Sequence, residues 1–301
     1  LKYPFDLRRK SDIISEDFIV RILKEVNMKL FMPLLSLAIS TILCLSSVRG
    51  EVVKDGLIAY WPFDRSTIDG KIARDLTGNY DGTMSGDPTI VPGKYGEAME
   101  FDGKDDYLDL TVLKGFGPHL GTFSIDFWIK TMSTPDWTTL FKTLSDGLSM
   151  GWAVDLNRSA KPGFAHAEGV THFYVRDRND KDLPAEINAD IYDNAWHHIA
   201  WVVEDASSNT CRVYVDGKPQ EVTYGNVKAP ADFEDFQHPV YLGAANNRGK
   251  IERFCPVVVD EFRIYRKALT EREVLQNLAS GAAVDCSDKL AIAWGKLKII
   301  R

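Results

Sequence analysis

The sequence predicts an all-β protein, a sandwich of two sheets with one short C-terminal helix. Three observations carry this. Short apolar segments with period-2 alternation recur from Gly56 to Tyr265. Turn chemistry rich in Gly, Asn and Asp separates them. A helix start signal follows only after the last strand. The chain has 301 residues, 45% hydrophobic and 26% charged, ordinary for a soluble globular protein, and shows no repeat of 20–50 residues.

The first 50 residues read as targeting sequence rather than fold. Met28-Lys29 precedes an apolar run, Leu30 to Leu45, then Ser-Ser-Val-Arg-Gly and an acidic start at Glu51. That order describes a secretory signal over 28–50. A signal anchor is the alternative, because the run approaches bilayer-spanning length. Pro33, several Ser/Thr and the lack of stop-transfer charges favour cleavage and a mature chain without a membrane span. Ile42 and Leu43 stand where a lipoprotein site at Cys44 wants small residues. Residues 1–27, ahead of that Met, read as non-native upstream sequence. Residues 1–50 hold eight Lys/Arg and five Asp/Glu of the chain's 36 and 43, leaving 28 against 38, a net of −10. That balance excludes the basic footprint of a nucleic-acid binder and suits an extracellular or cation-binding module.

One domain is expected over 51–281, with a basic, apolar tail over 282–301. Gly56–Phe63 is an apolar strand ending at Asp64, followed by a Gly-rich loop through Asp75 and Asn79. Glu97–Phe101 and Tyr107–Leu110 flank the turn Asp-Gly-Lys-Asp-Asp, which predicts a hairpin. In Thr122–Thr131, Phe123, Ile125, Phe127 and Ile129 point inward, and Trp128 lies on the outward row. Further strands are expected at 139–143, 150–156, 172–176 and 240–243. Trp196–Asp205 and Cys211–Gly217 form a second hairpin. In the last strand, 257–265, alternation places Val258, Asp260, Phe262 and Ile264 on the more apolar face. A carboxylate there needs donors or a cation. The helix begins at the N-cap Thr270, with Glu273 closing a capping box, Leu269 stapling to Val274, and Gly281 at the stop.

Three cysteines follow the signal, which in a secreted chain suggests one bridge and one spare. Cys211 shares a row with Val213 and Val215 and behaves as a small hydrophobe. Cys255 precedes the last strand and Cys286 follows the helix, so Cys255–Cys286 is the expected disulfide, with two free thiols as the alternative. Asn157-Arg158-Ser159 is a sequon, meaningful only in a eukaryotic secretory route.

GLIAYWPFD, GNYDGT, GKYGEAMEFDGKDDYLDL, FSIDFWIKT, AWHHIAWVV with CRVYVDGKPQE, and VDEFRIYRKALTEREV occur in that order. Together they resemble the laminin-G-like jelly rolls of the concanavalin A-like lectin/glucanase group, over most of 55–281. The resemblance implies two antiparallel sheets packed face to face, and a non-catalytic module binding carbohydrate or an extracellular protein, often tied by calcium. In similar jelly rolls the ion sits where the first strand ends beside the last. The matching positions are Asp64, Asn79 and Asp260, with Asp75 a fourth candidate. The alternative is that Asp64 caps a turn and Asp260 accepts backbone N–H groups.

Because this fold also carries glycosidases and lyases, function rests on the site. The laminarinase-type Glu-x-Asp-x-x-Glu strand is approached only by Glu100-Phe101-Asp102-Gly103-Lys104-Asp105, where Gly103 turns the chain. Alginate-lyase-type motifs are missing. His197 and His198 are adjacent on a strand and cannot chelate one ion. There is no Gly-x-Ser-x-Gly elbow and no phosphate loop. An enzyme with an unrecognised site stays as the second class, favoured by paired carboxylates in an open groove. Candidate ligand contacts are Trp128, Trp137 and the loop Asn246-Asn247-Arg248-Gly249, by aromatic stacking and hydrogen bonding. Each also suits a plain structural role, Trp137 at a sheet edge and the Asn-Asn-Arg-Gly loop as a turn.

Overall fold

The computed structural model describes residues 51–113, 122–132, 138–143, 151–156, 170–176, 182–208, 210–224, 239–247 and 250–280. The expectations for residues 1–50, Trp137, the sequon at Asn157, Arg248, Gly281, Cys286 and the tail lie outside these. Among the described residues no helix is long and apolar enough to cross a membrane.

Two antiparallel sheets hold the chain, as predicted. In one, the last strand Pro256–Tyr265 is central. Its one edge pairs with Phe123–Lys130, which continues to Trp196–Asp205, Thr210–Val215 and Lys218–Pro219. Its other edge pairs first with Glu97–Asp102 and then with the first strand, Leu57–Trp61. Thr89–Pro92 closes that side. The ten-stranded sheet runs from Thr223–Tyr224 through Asp182–Ile187, Thr171–Arg176, Gly151–Leu156, Thr138–Lys142, Tyr241–Leu242, Tyr107–Asp109 and Gly82–Ser85 to Ile72–Ala73 and Ile68–Asp69. Ala245–Asn247 and Lys250–Glu252 form a separate ribbon.

The inward rows meet in one core. Phe123, Ile125, Phe127 and Ile129 are all buried there, as their alternation predicts, and so are Cys211, Val213 and Val215. Contacts across the sandwich are aromatic: Phe123 stacks on Trp152 at 3.5 Å between ring centres, Phe173 lies 5.4 Å from Trp201, and Phe141 5.5 Å from Phe262. The outer face of the eight-stranded sheet is also covered. Val53, Leu269 and Val274 pack there against Ala200, Val202, Tyr214 and Tyr265. The helix Glu271–Ala279 starts on the predicted capping box, with Thr270 and Glu273 satisfying each other's backbone N–H groups, and ends on Ser280.

Two expectations are corrected. Glu97–Asp102 and Tyr107–Asp109 are not a hairpin: they belong to different sheets, and the turn between them crosses the sandwich. Buried Asp106 fixes the crossing by accepting N–H from Asp87 at 2.7 Å and Asp102 at 3.1 Å. In the last strand a bulge falls at Glu261, whose φ is 55°. The extra residue flips the alternation, so Val257, Val259, Phe262 and Ile264 face the core while Asp260 does not. Cys255 carries a free, buried thiol, and its expected partner Cys286 lies outside the described residues.

Candidate functional site

The strands Leu57–Trp61 and Glu97–Asp102 lie end to end along one edge of the last strand, which leaves Asp260 and Glu261 at the gap between them. The turn Gly93–Gly96 folds over this gap. Tyr95 N–H donates to Asp260 Oδ2 at 3.0 Å, and Glu97 N–H donates to Asp64 Oδ1 at 2.8 Å. Two glycines make the approach possible. A Cβ on Gly96, which has φ 61°, would stand 2.2 Å from Asp64 Oδ1, and one on Gly93 would stand 2.7 Å from Asp260 Oδ2. Asp260 is buried, and its Oδ1 has no hydrogen-bond partner among the described residues. Burial, then the Glu261 and Asp64 charges, push its carboxyl up to about 8 against the N–H groups of Tyr95 and Lys94.

Asp64 and Asp260 are therefore brought together, and Asp75 and Asn79 are not with them. Buried Asp75 takes N–H bonds from Tyr60 (2.8 Å), Thr77 (3.0 Å), Asn79 (3.1 Å) and Tyr80 (3.0 Å). The exposed Asn79 amide turns back to the Thr77 carbonyl at 3.3 Å. These two organise the Gly-rich loop against the first strand.

Behind Asp260 lies a buried charge network that the sequence reading missed. Arg263 donates to Asp126 Oδ1 at 2.7 Å and to Glu261, which also accepts from Tyr60 Oη at 2.7 Å. His198 Nε2 stands 3.0 Å from Asp126 Oδ2. Burial pushes Asp126 up, but His198 and Arg263 outweigh it and hold the carboxyl below its usual range. The signal was the run Asp-Glu-Phe-Arg inside an otherwise apolar strand.

The outer face of the ten-stranded sheet carries the remaining chemistry. Cross-strand register aligns Thr139, Asp155, His172 and Glu186 in one row. A second row runs Asp109, Tyr241, Lys142, Ala153 and Tyr174. In the first row His172 lies 3.9 Å from Asp155 and 3.8 Å from Glu186, and Thr139 Oγ1 donates to Asp155 at 2.7 Å. Beside the second row, Tyr107 meets Tyr241 edge-on at 5.1 Å and Phe254 at 6.4 Å. Tyr107, Phe254, Asp109, Lys142 and Asn246 are all half-buried. The Asn246 side chain bonds the Tyr241 hydroxyl, so this predicted contact borders the face. Asn247 lies in the ribbon beside it. Trp128 is on the outward row of its strand, as predicted, yet only 3% exposed. The Lys94 ammonium sits 4.3 Å above its ring, and Tyr95 and His198 pack against it. It is therefore a packing residue rather than an exposed platform.

A two-sheet jelly roll with a polar and aromatic outer face on one sheet describes a broad class of proteins. Residues 102–275 match the laminin-G model of the concanavalin A-like lectin/glucanase superfamily, and the chain belongs to that superfamily. A curated relative, the non-toxic nonhemagglutinin of Paraclostridium bifermentans, is 27% identical over 146 residues, 48% of this chain and 12% of its own length. Two solved structures share the fold. The binding domain of Paraclostridial Mosquitocidal Protein 1 matches with TM-score 0.53 and 19% identity, over 74% of this chain and 52% of that one. Domain 4 of AbnA, a GH43 extracellular arabinanase from Geobacillus stearothermophilus solved with arabinotriose, matches with TM-score 0.52 and 21% identity, over 74% and 98%. The chain thus spans about an eighth of that curated relative and half of the mosquitocidal binding domain.

Proposed function

We propose that this protein is a secreted, non-catalytic module that binds an extracellular ligand, carbohydrate before protein, and that calcium stabilises it. The observation that carries the reading is the pair of half-buried aromatics Tyr107 and Phe254, backed by buried Tyr241, with Asp109 and Asn246 beside them. Aromatic faces stack on sugar rings, while carboxylate and amide groups take hydroxyl hydrogen bonds. The arabinanase domain solved with arabinotriose and the binding domains of the same fold support this choice. The carboxylates Asp155 and Glu186 do not favour an enzyme. Both turn toward His172 between them, and the three are 2%, 6% and 4% exposed. A glycosidase pair needs an open space for the glycosidic oxygen and a water.

Calcium fits Asp64 and Asp260. Two carboxylates share one gap, and among the described residues an oxygen of the buried one lacks a donor. A hard divalent cation bound there neutralises that charge and takes oxygen ligands. Glycan-array binding of the full chain tests the module. Tyr107→Ala is expected to weaken any carbohydrate signal about tenfold, the order of one lost stacking contact. Array-wide absence of glycan binding, with a bound matrix protein instead, would redirect the reading to a protein ligand.

A further inference from the structure

The C-terminal end of the helix Glu271–Ala279 is held by residues that also line the Asp64–Asp260 gap. An α-helix leaves its last four carbonyls without partners inside the helix. No basic side chain stands in the last turn of this one to take them. Ser280 takes two, since its N–H donates to the Gln276 carbonyl at 2.9 Å and the Asn277 carbonyl at 3.2 Å. The Leu278 carbonyl instead accepts from the Tyr95 hydroxyl at 2.9 Å, and the Ser280 carbonyl accepts from Arg263 Nη2 at 3.4 Å.

Both donors reach back to the gap. Tyr95 donates its N–H to Asp260 Oδ2, and its ring meets Trp128, the cross-strand neighbour of Asp260, edge-on at 5.7 Å. Arg263 is paired with Glu261, which adjoins Asp260 in the bulge. The turn Gly93–Gly96 is closed by Gly93 N–H donating to the Gly96 carbonyl at 3.1 Å, and Glu97 just after it donates its N–H to Asp64. One short turn thus reaches both carboxylates and the helix end. Two carboxylates in one gap repel each other unless a cation lies between them. Their N–H donors sit on this turn, so a change in carboxylate spacing is passed to Tyr95 and, through its hydroxyl, to Leu278.

From this arrangement we infer that Tyr95 is a positioning residue coupling the cation gap to the helix: a divalent cation held by Asp64 and Asp260 fastens the last turn of the helix, and the docked helix end raises the affinity for the cation. The inference rests on the calcium reading and adds a second element that responds to the ion. Coupling between two such events is reciprocal, so one free energy appears in both. The start of the helix is held independently, by its capping box and by Leu269 and Val274 in the outer cluster. Asn277 is fixed as well, accepting the Val53 N–H at 3.0 Å and donating to Tyr265 Oη at 2.9 Å. The response to the ion therefore falls on Leu278, Ala279 and Ser280.

The test is residue-resolved hydrogen exchange of the full chain, in chelator and in calcium at about a hundredfold excess over its dissociation constant. Calcium binding is measured in parallel by calorimetry. An opening of the helix end that must release the ion becomes rarer by up to about a hundredfold at that excess. The Leu278, Ala279 and Ser280 amides are expected to exchange at least about tenfold more slowly in calcium. Tyr95→Phe keeps the ring on Trp128 and removes the hydroxyl. It should still bind calcium, about fivefold more weakly, the order of one neutral hydrogen bond, and should lose the slowing. Asp260→Asn should lose most of both. Calcium binding with equal exchange in the two conditions overturns the coupling and leaves the ion standing, as does undiminished slowing or undiminished affinity in Tyr95→Phe. Absence of calcium binding by the unsubstituted chain overturns both.

Discussion

Replacing Asp260 by Asn separates two forces that act on one buried carboxyl. Asp260 rises from an ordinary 3.8 to about 8 in the folded protein. A carboxyl raised on folding must take up a proton to fold, so without a cation it lowers stability above its unfolded value, more steeply until pH reaches its folded value. At ~1.4 kcal/mol per pH unit, the cost is about 5 kcal/mol at pH 7.5 and about 2 kcal/mol at pH 5. Asn keeps an acceptor for the Tyr95 N–H and has no charge to desolvate. In chelator, Asp260→Asn is therefore expected to melt above the unsubstituted protein at pH 7.5, with the gap shrinking toward pH 4. At about 2–4 °C per kcal/mol for a domain of this size, even half of the effect is easily resolved by calorimetry. Calcium reverses the order. At a hundredfold excess over its dissociation constant it adds about 2.7 kcal/mol to the unsubstituted protein, and the Asn variant should lose most of that gain. Identical melting of the unsubstituted protein in calcium and chelator would eliminate the ion. A variant less stable than its parent in chelator at pH 7.5 would show that Asp260 is ionised and held by its N–H donors.

Other outcomes follow from individual side chains. His197 is bonded on both ring nitrogens, to Asp216 at 2.9 Å and Asp193 at 3.1 Å, and these carboxylates raise it although burial opposes them. Its contribution is fully present below the ordinary histidine value and lost as pH rises through the raised one, so His197→Gln should flatten the melting temperature across pH 6–8. Burial pushes the Cys255 thiol up to about 12, so iodoacetamide at pH 8 should leave it unmodified in the native protein and alkylate it in denaturant, as read by peptide mass. Arg263→Met leaves Asp126 and Glu261 buried without their cation and should lower unfolding free energy by about 3–5 kcal/mol in urea titration. A near-neutral result would mean that the network is hydrated.

Much of the architecture was legible because inward rows such as Phe123, Ile125, Phe127 and Ile129 meet a simple period. The misreadings have local causes. One inserted residue at Glu261 reverses the faces of the last strand, and alternation cannot reveal an insertion whose two halves are each regular. The turn after Asp102 looks like a hairpin turn, yet Asp106 spends its oxygens on Asp87 and Asp102 and sends the chain to the other sheet. Of the site, Asp64 and Asp260 were legible through the resemblance, which sets the end of the first strand beside the last strand. Asp75 and Asn79 share their loop chemistry but point elsewhere.

The placement of the last strand also governs how the chain is made. Pro256–Tyr265 joins the first strand to Phe123–Lys130, pairing Tyr265 with both Leu57 and Ser124. During synthesis from the N-terminus, every other strand of the eight-stranded sheet emerges before its centre does. Until then, Phe123–Lys130 and Glu97–Asp102 each present an open, apolar edge. Such long-range pairing makes folding slow and keeps sticky intermediates waiting. A chain cut short before Pro256 thus lacks the strand that makes its other parts one sheet.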